Sequence, residues 1–145
     1  MREAVIVSTA RTPIGKAYRG AFNDTTAPML AGHAIAAAIE RAGIAGAEVD
    51  DVVMGAALQQ GTTHMNIART SLLRAGLPVS VPGQSMDRQC ASGLMAIATA
   101  AKQIIADGMT VAIGGGVEQV SLVQNEHMNV HRWRDPWLME HLPAT

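Results

Sequence analysis

Residues 87–108, DRQCASGLMAIATAAKQIIADG, decide the fold. From Ala91 to Ala101 the stretch carries no charge, which is about three helical turns with every face small or apolar. Such a helix is predicted to be buried all round rather than to lie on a surface. Gly108 supplies its stop. A single sheet with helices on its outside has little room for a helix covered on both sides. The stretch therefore predicts a second layer of structure that these residues do not encode, and a packed partner.

On either side of this stretch, strand and helix patterns alternate. EAVIVSTA (3–10) is short, β-branched and followed by RTPIG, which predicts a buried first strand and a turn. APMLAGHAIAAAIERAGI (27–44) predicts a helix with Pro28 in the first turn and Gly43 at its end. VDDVVMGAAL supplies a strand over 50–56, and MNIARTSLLRAGLP (65–78) a second helix stopped by Gly76 and Pro78. VPGQSMD is an extended piece leading to Cys90, and MTVAIGGGVE (109–118) is a further strand. This alternation predicts an α/β unit with a mostly parallel sheet and helices on both faces. From about Ser121 the periodicity stops, and residues 121–145, with both tryptophans, are expected to begin a loop region beside a half-domain over 1–120.

The 145 residues are enough to bury a core, and a hydrophobic fraction of 48% with 16% charged residues is that of a globular protein. Aromatic residues make up only 3%, so small and flexible side chains must let the elements approach closely. A net charge of −1 offers no electrostatic footprint for nucleic acid or an anionic membrane. One cysteine excludes an intrachain disulfide framework and a multi-cysteine zinc site, and fits a reducing setting. Glu3 interrupts any basic leader and no stretch has the makeup of a membrane span, so the expected location is the cytoplasm.

Cys90 sits where the central helix begins. Unpaired backbone N–H groups and the helix dipole favour a thiolate there, and the same groups can hold an oxyanion once an acyl group is attached to sulfur. Ser92 and Gly93 keep the first turn narrow, and a strand-to-helix turn exposes a nucleophile. The residues alone leave two readings open, because a free cysteine is also a common small core residue.

Several stretches together resemble one family. STARTPIGKAYRGAF is similar to the opening strand and turn of the thiolases, the acetyl-CoA acetyltransferases and 3-ketoacyl-CoA thiolases. MNIARTSLLRAGLP resembles their QNPARQ…AGLP helix, DRQCASGLMAI their nucleophile segment NxxCxSGLxA, and IGGGVEQVS their GGxExMS. The resemblance runs from residue 4 to about 121 and implies the N-terminal half of a layered αβαβα fold. It implies that Cys90 is the nucleophile that carries the acyl thioester, with its own backbone N–H in the oxyanion hole. The chemistry implied is thiolytic cleavage of a 3-ketoacyl-CoA or Claisen condensation, with acetyl-CoA and CoA as substrates and no metal or redox cofactor. It also implies a dimer or tetramer. The family's GHP histidine, its second cysteine in CxG and its water-positioning Asn do not occur in these residues. The chain by itself is therefore expected not to complete turnover, and a C-terminal half is the expected complement. Other readings are a ketoacyl-synthase-like condensing enzyme, which shares fold and nucleophile, and a non-catalytic lipid- or partner-binding module.

Asp87 departs from the family's Asn, and its charge disfavours a thiolate unless Arg88 or another cation pairs it. His127 and His131 have the i, i+4 spacing of a helical metal pair but lack the intervening Glu of H-E-x-x-H, so no metal site is assigned. His33 reads as a hydrogen-bonded or solvated helix residue and His64 as a turn residue, with an active-site role as its alternative, while Trp133 and Trp137 read as anchors of the loop region, with a cover over an acyl-CoA pocket as theirs.

Overall fold

The computed structural model describes residues 2–131 and 133–141. Its centre is a parallel three-stranded sheet of β1 (Asp51–Gly55), β2 (Gly83–Met86) and β3 (Ala112–Gly116), ordered β2-β1-β3. In register, Val52 of β1 faces Gly83 on one side and Ile113 on the other. All five residues of β1 are buried, as befits a central parallel strand covered on both faces.

Alternation along β1 divides the core in two. Val52 and Met54 pack with Ala31 and Ile35 of α1 (Ala27–Ala42) and with Ile67 and Leu72 of α2 (Ile67–Arg74). Val53 points the other way, onto Ala96 and Ala100 of α3 (Ser92–Ala106). The predicted parallel sheet with helices on both faces is what the chain forms. Pro28 lies in the first turn of α1, and Gly43 closes it with φ 68°, its N–H bonding the carbonyls of Ile39 and Glu40. Asn66 caps α2 by accepting the Arg69 N–H (3.0 Å) and donates to the Gly83 carbonyl (2.6 Å), so one side chain ties that helix to β2. Beyond β3 lie the short helices α4 (Val120–Val123) and α5 (Pro136–His141). Residue 132 and residues 142–145 of that region lie outside the described residues. No helix among the described residues is long and apolar enough to cross a membrane.

One expectation needs correction. Residues 3–10 form no strand: Val5, Ile6 and Val7 are 71–76% exposed. A β-branched run reports a preference for apolar faces, but a strand also needs an adjacent backbone, and no described backbone pairs with this one. It is tethered instead by side chains. Arg2 donates to the carbonyls of Gly108 (2.8 Å) and Met109 (3.0 Å), and Arg41 donates to that of Thr9 (2.7 Å).

Helix α3 is covered on one side by the described residues. Ser92, Ala96, Ala100 and Gln103 form one buried stripe against the sheet. Leu94, Ile97 and Ile105 are open on the other side, Leu94 at 72%. Among the described residues nothing covers that second face.

The two ends of the sheet are held differently. Asp51 accepts Nε2–H of Gln103 (2.6 Å), fixing the last turn of α3 to the start of β1. Asp50 accepts the N–H groups of Thr110 (2.7 Å) and Val111 (3.1 Å), and these bonds hold its carboxyl below the usual carboxylate range. A depressed folded-state value means the contribution is present above the unfolded carboxyl range and is lost as pH falls through the folded one. Asp50→Ala is therefore expected to lower the melting temperature at pH 7, and the gap to the native chain should close in acid, below the ordinary carboxylate range. Thermal melts across pH check this; a gap independent of pH would contradict it.

Candidate functional site

The chain reverses between β2 and α3 in five residues, and Cys90 stands in that turn. Gln89, just before it, takes a left-handed conformation (φ 50°), unfavourable for a residue with a Cβ. Local bonds hold it there. Asp87 Oδ1 accepts the Gln89 N–H (2.7 Å), Ser92 Oγ accepts the Arg88 N–H (2.8 Å), and Ser92 Oγ donates to the Gln89 carbonyl (2.6 Å). Cys90 is exposed and its sulfur is a free thiol. The N-terminus of α3 has no side-chain cap and no acidic residue in its first turn, so its dipole is not offset locally.

Glycines bring this helix end onto the sheet. A Cβ on Gly55, at the tip of β1, would overlap the carbonyl of Ser92 and lie 2.6 Å from the Gly93 nitrogen. A Cβ on Gly116, at the tip of β3, would lie 2.9 Å from the Gly93 Cα, and one on Gly114 would lie 2.7 Å from the Ile97 Cα. The backbone of α3 thus rests directly on the carboxyl ends of β1 and β3, and Cys90 comes to the same end of the sheet where α/β folds place their ligands. IGGGVE reads in sequence only as a glycine-rich strand end. Its function as a seat for the helix was missed, and the spacing Gly114-x-Gly116 on one face of a strand was the available signal.

Glu118 follows β3 and accepts the N–H groups of Ala57 (2.8 Å) and Leu58 (3.4 Å), closing the loop after β1 over the same end. Gln119 donates to the carbonyls of Phe22 and Thr25 (2.6 Å each), and Ser121 Oγ accepts the Tyr18 N–H (2.8 Å). These bonds pin residues 18–25 beside the tips of the strands. An open cleft of ≈ 500 Å³ runs there between Arg11, Lys16, Glu118 and Ser121, and Cys90 does not line it.

The other candidates separate. Asp87 accepts the backbone N–H described above and forms no ion pair with Arg88 among the described residues; Arg88 reaches Met95 Sδ instead (4.0 Å). His127 and His131 lie in turns after α4, so they share no helix face; the His127 ring lies 3.7 Å from the Glu126 carboxylate. His33 is exposed on α1, and His64 is exposed directly after the single helical turn Gly61–Thr63. Trp133 and Trp137 are each more than half exposed and do not anchor the excursion; Trp137 stacks on His141 at 4.2 Å.

The chain matches the family model described as "Thiolase, N-terminal domain" over residues 4–140. It is 38% identical over 130 residues to a 3-ketoacyl-CoA thiolase of Saccharophagus degradans, covering 88% of this chain and 33% of that protein. To a beta-ketoadipyl-CoA thiolase of Pseudomonas aeruginosa it is 44% identical over 121 residues, 83% of this chain and 30% of that one. Among solved structures, the acetyl-CoA acetyltransferase of Bacillus anthracis is similar with a TM-score of 0.81 at 38% identity, over 94% of this chain and 34% of that chain. The chain spans about a third of the length of these relatives. It belongs to the thiolase family, and its α/β fold is that of the family's N-terminal domain.

Proposed function

We propose that this chain carries the nucleophile of a thiolase-type acyl transfer and that Cys90 is its acyl acceptor. The observation that carries the reading is an exposed thiol at the uncapped start of α3, inside the segment the thiolase family model matches. The Cys90 thiolate attacks the carbonyl carbon of an acyl-CoA thioester, and the oxygen takes up the negative charge. The Cys90 N–H and the dipole of α3 stabilise that charge. The bond from carbon to the CoA sulfur then breaks, CoA leaves as a thiolate and takes a proton from solvent, and the acyl group remains on Cys90 as a thioester. Covalent transfer splits a difficult exchange into two easier steps.

CoA is a substrate in this reading, and no metal or redox cofactor takes part. Cleaving or forming the carbon–carbon bond of a 3-ketoacyl-CoA further needs a base and a proton donor near the α-carbon. The family's histidine and second cysteine for that work are not in these 145 residues. The reading therefore assigns 1–120 as the nucleophile half-domain and 121–145 as the start of a loop region, working with a C-terminal half in a cytoplasmic dimer or tetramer. Incubation with acetyl-CoA followed by peptide mass mapping tests the proposal. One acetyl group is expected on the peptide containing Cys90; acetyl found only elsewhere contradicts it.

A further inference from the structure

We infer that Ser92 is a positioning residue that aims the Cys90 N–H at the acyl oxygen. The inference rests on the reading of Cys90 as acyl acceptor. Ser92 is 4% exposed, and its hydroxyl spans the turn. It accepts from the Arg88 N–H (2.8 Å) on one side of Gln89 and donates to the Gln89 carbonyl (2.6 Å) on the other. The Gln89 carbonyl also accepts the Ser92 N–H (3.0 Å), so two donors fix its direction toward the first turn of α3.

That carbonyl belongs to the same peptide unit as the Cys90 N–H. No cis peptide bond occurs in the described chain, and in a planar trans unit the C=O and N–H point in opposite directions. Locking the Gln89 carbonyl toward the helix therefore directs the Cys90 N–H out of the turn. The same lock holds Gln89 in its left-handed conformation against the preference of a residue with a Cβ. Without the hydroxyl, the 89–90 peptide is free to rotate toward the extended conformations Gln89 prefers, and the N–H swings with it. The sulfur itself is attached beyond that peptide and keeps its exposure.

Two reactions of Cys90 separate positioning from mere structure. Acetyl transfer from acetyl-CoA builds negative charge on a carbonyl oxygen, whereas alkylation by iodoacetamide displaces iodide at a saturated carbon and builds none there. Ser92→Ala is expected to slow acetylation of Cys90 about ten- to a hundredfold while leaving alkylation within about twofold of the native chain. Both rates are read by intact mass on the 145-residue chain, with circular dichroism to confirm folding.

Should Ser92→Ala not fold, the double variant Gln89→Gly, Ser92→Ala removes the left-handed penalty without restoring the hydrogen bonds, and the same split is expected. An equal loss in both reactions makes Ser92 merely structural and overturns the inference. So does unchanged acetylation in a folded variant. A native chain alkylated at Cys90 but never acetylated there instead overturns the reading of Cys90, and the inference with it.

Discussion

Gly55→Ala is expected to destabilise the chain by about 3 kcal/mol, at the upper end for overpacking. The new Cβ would fall on the carbonyl of Ser92 and 2.6 Å from the nitrogen of Gly93, both backbone atoms with no rotamer to yield. Nor can α3 slide freely away, because Gln103 is bonded to Asp51 (2.6 Å) at the other end of the helix. Relief has to come from the first turn of α3, next to Cys90, so the reactivity of the thiol should change together with stability. Gly46→Ala is the control, since its nearest neighbours are Leu77 Cγ at 3.4 Å and Pro78 Cδ at 3.5 Å. That variant should stay within about 1 kcal/mol of the native chain. Urea denaturation of both variants checks the pair; a Gly55→Ala chain as stable as the native one would mean that α3 does not rest on the tip of β1.

Leu72→Ala should cost a similar amount, about 2–5 kcal/mol. Leu72 is fully buried between α2, α1 and β1, in the cluster with Ile35, Val52 and Ile67. At Gly32 the two helices already touch closely, with room for a Cβ only 3.0 Å from the side chain of Arg74, so they have little scope to collapse into the cavity. Leu94→Ala is the informative comparison. Leu94 is equally apolar but lies on the open face of α3, and its loss should change stability by no more than about 0.5 kcal/mol. A comparable loss at both positions would mean that the open face is covered in solution.

The elements whose signals are local were legible in the sequence. Helix α1 begins at Ala27 and ends at Gly43 because proline, amphipathic spacing and glycine act within the segment itself. β1 was legible because a run buried on both faces needs no knowledge of its neighbours. Residues 3–10 have the composition of such a strand, but pairing is a property of two backbones and the sequence of one does not contain it. The all-apolar character of α3 asks for two covered faces, and the described residues cover one of them.

At the candidate site, Cys90 stood out in the sequence from its place before a small-residue helix. The turn that presents it was not, because Gln89 carries no mark of a left-handed residue and the hydroxyl of Ser92 acts through tertiary geometry. Gly55 likewise gives no sign in sequence of what lies above it. Close approach is legible only once the layers are stacked.

The central claim is that Cys90 takes an acyl group from CoA. The most direct test mixes the chain with excess acetyl-CoA and follows free CoA by chromatography. The account predicts release of a single equivalent of CoA per chain and then a halt, with no release above the solvent rate from Cys90→Ala. The same release from Cys90→Ala and the native chain would contradict it.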